Sequence, residues 1–251
     1  MFSVLQITDC HLVVEGAQLI GVDTQKSLEA VLTQAIRTQV PDAIIASGDL
    51  AHDPEPKVYE RFHRTVRQFS EAPLICTPGN HDVVDAMSML PMQGLALGNW
   101  AIIALDSHED EATPARITIE DRDRTEGEIV LSDAEHILVT AHHPFVEVDA
   151  PWLDRDRVQQ PEELVDWLQQ CSQSRVRAIV FGHAHQEVTG TCRDLPVYGA
   201  PSTCFQFKPH SQKFTLDTLT PGYRWLTLHD QGRLTTQVGR VEHFKIEPKL
   251  R

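Results

Sequence analysis

The sequence predicts an α/β domain built from layers of strands and helices. Three observations support this fold class: six short apolar runs, three amphipathic segments between some of them, and a final pair of strand-like runs around a turn. Short apolar runs of about four to eight residues are typical of buried strands. When such strands alternate with helices along a chain, an α/β layered domain is the expected result. We expect a single domain that spans residues 1–251.

The six predicted strands are short apolar runs. They cover residues 4–8, 43–47, 74–77, 101–105, 137–141 and 178–181. Two further runs, 223–229 and 234–238, flank Asp230-Gln231-Gly232, and this pattern predicts a hairpin near the end of the chain.

The predicted helices are recognised by apolar residues at three- to four-residue spacing, which places them on one helix face. In the first helix these residues are Leu28, Val31, Leu32, Ala35 and Ile36. In the second, which follows two prolines, they are Val58, Phe62, Val66 and Phe69. The third begins near Pro161, because proline suits a first helical turn, and contains Leu164, Val165 and Leu168.

Residues 108–135 form the segment whose structure the sequence predicts least. The segment is charged, as in the run 120–124 (EDRDR), and poor in apolar residues. We expect a solvated loop or an exposed hairpin here.

The chain carries a formal net charge of -14 at pH 7. A surface this acidic repels nucleic acid and anionic lipid, so we expect neither nucleic acid nor membrane as a partner. It also repels a phosphate substrate, but bound cations reverse this locally because they are the largest charges in a site that holds them.

Targeting and redox features of the sequence favour the cytoplasm. Residues 1–7 enter the first predicted strand without the basic and apolar regions of a signal peptide. No apolar run reaches the length of about 18 residues that a membrane span needs. The five cysteines are odd in number and lack CxxC spacing, which indicates reduced thiols rather than disulfides or a thiolate zinc site. We therefore expect a cytoplasmic protein.

Seven residues of metal-binding type directly follow predicted strands. They lie in five motifs, which are Asp-x-His, Gly-Asp, Gly-Asn-His-Asp, His-His-Pro and Gly-His-x-His, in that order. The residues are Asp9, His11, Asp49, Asn80, His142, His183 and His185. Because ligand crevices form where the strands of an open α/β sheet end, we expect these side chains to meet at one edge.

The chemical types of these side chains predict a site for two metal ions. Carboxylate, imidazole and amide ligands without a thiolate suit Mn, Fe, Zn or Co, whereas calcium takes oxygen alone. A carboxylate readily bridges two cations, and Asp49 is the natural bridge. Two cations about 3.5–4 Å apart clamp a phosphate and acidify a bound water.

Each motif alone also has an ordinary structural explanation. An isolated Asp-x-His or Gly-Asp is more often a turn at the end of a strand, and Gly-His-x-His is only moderately specific. The occurrence of all five motifs in one chain favours the metal site. Three histidines near the motifs are candidates to support it: His52, His143 and His210. Five others are expected at the surface: His63, His108, His136, His229 and His243.

The five motifs, over residues 9–185, resemble in this order those of the calcineurin-like metallophosphoesterases. The C-terminal third is similar to the bacterial cyclic-AMP phosphodiesterases of that superfamily, in the runs 201–210 (PSTCFQFKPH), 214–217 (FTLD) and 221–224 (PGYR). So are the runs 7–9 (ITD) and 47–53 (SGDLAHD). The resemblance implies a four-layer αββα sandwich, with metal-site motifs in residues 7–185 and a substrate rim and terminal hairpin in residues 196–240.

The same resemblance implies the ligand sets and the reaction. One metal ion has the ligands Asp9, His11, Asp49 and His185, and the other has Asp49, Asn80, His142 and His183. His81 is implied to lie beside the scissile phosphate as a catalytic residue. Independently of the resemblance, we expect either Asp53 or Asp82 to orient its ring. The implied reaction is hydrolysis of 3′,5′-cyclic AMP to 5′-AMP by a hydroxide that the two metal ions activate. We expect two divalent or trivalent ions per chain, Mn or Fe or both, with Zn or Co as alternatives.

Substrate contacts are predicted at His11, Asn80, His81, His185 and Phe207. Phe207 can stack on a base and Gln206 can bond its edge, whereas Phe205 is expected in the core. Two other functions stay open: hydrolysis of another small diester, such as a 2′,3′-cyclic nucleotide or a glycerol diester, and a non-catalytic scaffold of the same fold. The predicted partner is a small cyclic nucleotide, and the chain is expected to be a monomer or a homodimer.

Overall fold

The computed structural model describes residues 1–108, 115–242 and 244. Eleven strands are found among them, in chain order: β1 (Phe2–Ile7), β2 (Ala43–Ser47), β3 (Leu74–Thr77), β4 (Leu95–Leu97), β5 (Trp100–Ala104), β6 (His136–Thr140), β7 (Val176–Phe181), β8 (Val188–Cys192), β9 (Leu195–Gly199), β10 (Gly222–Leu228) and β11 (Leu234–Arg240). The helices of these residues are α1 (Thr24–Thr38), α2 (Pro56–Phe69), α3 (Ile119–Leu131), α4 (Pro151–Asp154) and α5 (Pro161–Cys171), with one 3₁₀ turn, Val84–Met87.

The strands form two mixed sheets. The first has the order β11-β10-β1-β2-β3, in which β1, β2 and β3 run parallel. The second has the order β4-β5-β6-β7-β9-β8, in which β5, β6, β7 and β9 run parallel. The terminal hairpin is confirmed, since β10 and β11 are antiparallel, and β10 joins the first sheet by pairing with β1.

The two sheets pack face to face through alternate residues of their strands. In β2, Ala43 and Ile45 lie in the core between the sheets, while Ile44 and Ala46 face the helices outside. Successive strand residues point to opposite faces, so a strand buried on both faces must be apolar throughout. This is why β2 and β3 begin and end where the apolar runs predict.

Helices cover the outer face of each sheet. The apolar faces of α1 and α2 pack with β1 to β3 in one hydrophobic cluster, and α3 and α5 contribute to the cluster on the second sheet. Helix α1 begins where Asp23 accepts a hydrogen bond from the backbone N–H of Lys26, as an N-cap residue does. The four-layer αββα sandwich is therefore confirmed. None of the helices in the described ranges is both long and apolar enough to cross a bilayer.

The expectation of a loop or hairpin in residues 108–135 is wrong for its second half, which forms helix α3. Thr118 caps the helix by accepting a hydrogen bond from the N–H of Asp121 at 3.1 Å. Only Thr125 and Ile129 are buried, so the helix has a narrow apolar face. Its last carbonyls receive hydrogen bonds from Arg175, including one of 2.8 Å to Ile129. The prediction failed because a distant arginine and the cap, rather than apolar periodicity, stabilise this helix. Residues 109–114 lie outside the described part of the chain.

Candidate metal centre

The seven candidate ligands all lie just beyond the carboxyl ends of five strands. Asp9 and His11 follow β1, Asp49 follows β2 and Asn80 follows β3 in the first sheet. His142 follows β6, and His183 and His185 follow β7 in the second sheet. Because the two sheets pack with these ends on the same side, the structure brings all seven side chains to one edge, as the sequence predicts.

The backbone at this edge is strained. Asp9, His11 and Asp49 have φ angles of 51°, 43° and 51°, and His183 and His185 have φ angles of 60° and 49°. Residues other than glycine rarely adopt this left-handed conformation. Such outliers cluster at functional sites, where the surrounding structure holds them in place. Five of the seven candidate ligands share the feature.

Three glycines leave the room that the site needs. A Cβ atom on Gly48 would lie 2.3 Å from the ring of His142, and one on Gly79 would lie 2.3 Å from Oδ1 of Asp49. A Cβ atom on Gly182 would lie 2.0 Å from Oγ1 of Thr8. In each of the three motifs that contain a glycine, close packing against the polar groups of the site therefore requires that glycine.

One half of the site gathers Asp9, His11, Asp49 and His185. Nε2 of His11 lies 3.1 Å from Nε2 of His185 and 3.4 Å from Oδ2 of Asp49. Nε2 of His185 lies 3.4 Å from Oδ1 of Asp9. All four residues are nearly inaccessible to solvent. Four donor atoms thus converge on one small volume.

The other half gathers Asp49, Asn80, His142 and His183. Oδ1 of Asn80 lies 2.9 Å from Nδ1 of His183 and 3.2 Å from Nε2 of His142. Oδ1 of Asp49 lies 3.5 Å from Nε2 of His142. Asp49 therefore presents one carboxylate oxygen to each half, which is the geometry that its predicted bridging role requires.

The hydrogen bonds of His142 and His185 show that these donor atoms fit cations. Nδ1 of His142 donates to the carbonyl oxygen of Ser47 at 2.9 Å, and Nδ1 of His185 donates to that of Phe205 at 2.7 Å. In a neutral ring the proton is then on Nδ1, and Nε2 presents a lone pair. Both Nε2 atoms face oxygen or nitrogen acceptors, so their lone pairs repel unless a cation lies between them. Backbone partners of this kind orient metal-binding histidines.

The charges of the site support the same conclusion. Burial works to raise the pKa of Asp49, but the imidazoles of His142, His11 and His81 outweigh it and hold that pKa below its usual value. Burial lowers the pKa of His11 to about 3. The carboxylate is therefore ionised and the imidazole neutral at neutral pH, as metal binding requires.

His81 lies at the rim of the site. Its backbone N–H donates to Oδ1 of Asp49 at 2.9 Å, and its exposed ring lies edge-on to the ring of His11 with centroids 4.9 Å apart. Neither Asp53 nor Asp82 bonds this ring. Asp53 accepts from the N–H of Val14 instead. The ring neighbour of His81 outside the seven candidates is His52, at 5.1 Å between centroids.

Asp82 has a role that the sequence did not predict. Its buried carboxylate accepts hydrogen bonds from the N–H groups of Leu50, Ala51 and Gly79 and from the hydroxyl of Tyr59. Burial and the charge of Asp49 raise its pKa to about 7. Asp82 thus ties the loop after β2 to the loop that carries Asn80 and His81. The signal available in the sequence was its place in the Gly-Asn-His-Asp motif.

The other histidines differ in burial and in their distance from the site. His143 is buried beside the site, 2.9 Å from Oγ of Ser107, with its ring centroid 4.9 Å from those of His142 and His183. His210 is exposed and lies near Asp149. The surface prediction for His136 is wrong: this residue is 7% exposed, because its ring bonds Asp230 and Arg177 under the terminal hairpin. His243 lies outside the described residues.

An aromatic cluster borders the site on the side of His185. Phe207 stacks on the His185 ring at 4.1 Å and is 9% exposed, so most of its surface is covered. Phe214 and Trp152 contact Phe207 edge-on, with centroids 5.4 and 5.0 Å away. Phe205 is buried, as expected. The sequence missed Trp152, which lies in the short helix α4.

The predicted contact between Gln206 and a base edge is wrong. Gln206 is 1% exposed, and its side-chain nitrogen donates to the carbonyl oxygen of Ser202 at 2.9 Å. Because Phe205 and Phe207 on either side face inward, alternation along the chain would turn Gln206 outward towards a substrate. The backbone here turns its amide inward instead.

Comparison with known proteins identifies the family. The sequence profile described as "Calcineurin-like phosphoesterase" matches residues 2–187, well over half of the chain. The chain belongs to this family. The matched range includes all five motifs and the strands that position them.

Curated relatives of similar length share the whole chain. A "3′,5′-cyclic adenosine monophosphate phosphodiesterase CpdA" from Pseudomonas aeruginosa is 38% identical and covers 97% of this chain and 91% of its own length. The protein of that name from Escherichia coli K12 is 35% identical, covering 98% of this chain and 92% of its own length. A "3′,5′-cyclic-nucleotide phosphodiesterase" from Nostoc is 32% identical over 99% of this chain and 96% of its own length. This chain is accordingly a metal-dependent phosphodiesterase.

Solved structures support the fold alone, since their sequences are distant. Purple acid phosphatase PPD1 from yellow lupin superposes with a TM-score of 0.65 at 14% identity, covering 98% of this chain and 52% of the phosphatase. TT1561 of Thermus thermophilus gives a TM-score of 0.62 at 14% identity, covering 96% of this chain and 99% of that protein.

Proposed function

We propose that this protein hydrolyses 3′,5′-cyclic AMP to 5′-AMP. The observation that carries the proposal is the 38% identity to the Pseudomonas aeruginosa cyclic-AMP phosphodiesterase over 97% of this chain. A similarity of this extent includes the loops around the metal centre, which determine specificity, and not the metal motifs alone. The Nostoc relative, named for 3′,5′-cyclic nucleotides, supports the same substrate class.

Two metal ions are assigned to the seven converging side chains. The first has the ligands Asp9, His11, Asp49 and His185, and the second has Asp49, Asn80, His142 and His183. The distances between their donor atoms, 2.9 to 3.5 Å, and the lone pairs that face each other support both sets. When bound, two such ions neutralise the phosphate charge and make a water molecule acidic enough to attack at neutral pH. Nitrogen and oxygen donors without a thiolate suit Mn and Fe, with Zn or Co as alternatives.

Hydrogen bonds within the protein fix the orientation of several of these ligand side chains. Ser47 and Phe205 fix the two imidazoles of His142 and His185 through their carbonyl oxygens, so that Nε2 points into the site. The N–H of His183 donates to both oxygens of Asp9 at 3.1 Å, which fixes that carboxylate. Because these groups are already oriented, little reorganisation is needed when substrate binds.

His81 is assigned the task of protonating the leaving 3′-oxygen. Its backbone is held by Asp49, yet its ring is exposed and makes no hydrogen bond to any described residue, so the ring nitrogens are available to substrate. Imidazole exchanges a proton near neutral pH, as an acid of this kind must. Its position next to Asn80 places it at the rim without making it a ligand.

The substrate is tested by comparing hydrolysis rates on four diesters in the presence of Mn²⁺: 3′,5′-cyclic AMP, 2′,3′-cyclic AMP, a glycerol diester and a chromogenic diester. We expect the highest kcat/KM on the 3′,5′-cyclic nucleotide. A higher value on either of the other two natural diesters would replace the proposed substrate while keeping the metal centre. Absence of hydrolysis on all four would support the scaffold alternative.

A further inference from the structure

Three histidines form a second cluster on the outer side of the metal centre. One ring nitrogen from each of His11, His52 and His81 lies within 4.8 Å of a ring nitrogen of the other two. The ring centroids are 4.9 Å apart for His11 and His81, 5.1 Å for His52 and His81, and 5.9 Å for His11 and His52. Two of these residues, His52 and His81, belong to neither assigned ligand set.

Two buried ring nitrogens of this cluster make no hydrogen bond to any described residue. They are Nδ1 of His11 and Nδ1 of His52, and neither has a hydrogen-bond partner among residues 1–108, 115–242 and 244. His11 as a whole is only 4% exposed. Buried polar atoms are nearly always bonded, so each exception needs a physical explanation. A ligand that accepts electron pairs from imidazole explains both exceptions together.

The chemistry of the cluster is that of a transition-metal site. It offers three imidazoles and no carboxylate, and imidazole is a preferred ligand of Zn²⁺. Zinc–nitrogen bonds are about 2.0–2.1 Å long. The three ring nitrogens, which now lie within 4.8 Å of one another, must therefore move closer together to bind one ion. The exposed ring of His81 can make the required movement, since it forms no hydrogen bond with any residue in the described part of the chain.

We propose that His52, His81 and His11 form an accessory Zn²⁺ site, and that an ion bound there inhibits the enzyme by withdrawing His81 from the substrate. His52 and His81 are ligands of this ion alone. His11 contributes Nδ1 while its Nε2 serves the main centre, so its ring releases one proton to solvent when the ion binds. The accessory zinc ion does not bind the substrate, and the two metal ions of the main centre stay in place.

The test is a Zn²⁺ titration of the Mn²⁺-loaded protein, followed by hydrolysis of 3′,5′-cyclic AMP, whose leaving alkoxide needs the proton of His81, and by metal analysis after equilibrium dialysis. We expect activity to fall as a third ion binds. In His52→Ala the activity without zinc is retained, no third ion binds, and half-inhibition needs about 10- to 100-fold more Zn²⁺, the loss of metal affinity that even an indirect partner causes. His52→Gln, which offers no imidazole but keeps a polar side chain, is the second variant and should behave in the same way.

His63→Ala is the matched control, because it removes a histidine from helix α2 outside the cluster, and it should be inhibited like the unmodified protein. Equal inhibition of His52→Ala and the unmodified protein would overturn the proposal, because zinc would then act by replacing the resident ions. So would the absence of a third ion in the unmodified protein. The inhibition rests on the proposed function of His81, whereas the count of bound ions does not depend on any substrate, so failure of the zinc site and failure of the proposed function are distinguishable.

Discussion

Five of the seven candidate ligands have left-handed backbone conformations, which residues other than glycine rarely adopt. Asp9 and Asp49 each follow a strand, and each has a φ angle of 51°. The sequence predicts which residues meet, because the motifs name them. It does not predict this conformation, since aspartate and histidine have no strong preference for it.

Replacing His81 separates catalysis from metal binding. In His81→Ala we expect both metal ions and near-native substrate affinity to be retained, because the ring bonds none of the ligands. The value of kcat should fall about 10²- to 10⁴-fold, the contribution of a positioned acid or base. Steady-state kinetics on 3′,5′-cyclic AMP together with elemental analysis measure both quantities. Loss of a metal ion would make His81 a ligand, and an unchanged kcat would leave it without a catalytic role.

Asp106 makes stability depend on pH. Burial raises the pKa of its carboxyl from 3.8 to about 7. Between these values the folded protein binds a proton that the unfolded chain does not, so this group's stabilising effect is lost as the pH rises. Asp106→Asn keeps the acceptor for the N–H of His108 and removes the titration. The free energy of unfolding of the variant, relative to the unmodified protein, should rise between about pH 4 and pH 7 and level off above that range. A constant difference would contradict the assignment.

At the scale of elements, success in prediction follows burial on both faces. Strands β2 and β3 are buried throughout and were predicted at both ends. Strand β8 was missed because four of its five residues are partly or fully exposed and one of them is Gly190. Strand β9 was missed because its buried residues alternate with partly exposed ones and it includes Pro196, so no apolar run marks either strand. The final hairpin was predicted because its turn residues carry a local signal.

The loop between β3 and the 3₁₀ turn is expected to tolerate no side chain at Gly79. In Gly79→Ala the new Cβ atom would meet Oδ1 of Asp49 at 2.3 Å and the ring of His142 at 2.8 Å. We expect the fold to persist while metal affinity falls, because the clash displaces the bridging carboxylate. Isothermal titration with Mn²⁺ measures the affinity.

The control for this variant is Gly127→Ala in helix α3, where a Cβ atom meets nothing within 4 Å. It should leave metal affinity unchanged and raise the free energy of unfolding by about 0.5–1 kcal/mol, the helix preference of alanine over glycine. Native Mn²⁺ affinity in Gly79→Ala would show that the site has more room than the structure gives it.

Phe214 forms the exposed edge of the aromatic cluster, and we expect it to contact the substrate. Phe207 is largely covered, whereas Phe214 is 44% exposed. Base stacking contributes about 1–3 kcal/mol, so Phe214→Ala should raise KM for 3′,5′-cyclic AMP about 5- to 100-fold and leave KM for a small chromogenic diester unchanged. Leu219→Ala, at a residue that is 45% exposed, is the control and should change neither. Equal losses on both substrates would assign Phe214 to packing instead.

At the scale of the whole molecule, the site exists only because the two sheets pack with the carboxyl ends of their ligand-bearing strands on the same side. Strands β1 to β3 bring four of the ligands and strands β6 and β7 bring three, and Asp49 and His142 come together although they are far apart in the sequence. The order of motifs predicted this meeting, but the distances depend on long-range packing between the sheets, which no local pattern encodes. The net charge of -14 repels phosphate, and cations bound at this site would reverse that repulsion locally.

The central claim is a pair of metal ions that Asp49 bridges, and metal removal with stepwise reconstitution tests it most directly. Protein stripped with a chelator is titrated with Mn²⁺ or Fe²⁺ while bound metal and hydrolysis of 3′,5′-cyclic AMP are followed together. We expect no activity without metal, full activity at two ions per chain, and loss of both ions in Asp49→Ala. Full activity in metal-free protein, or two ions bound with native affinity in Asp49→Ala, would contradict the claim.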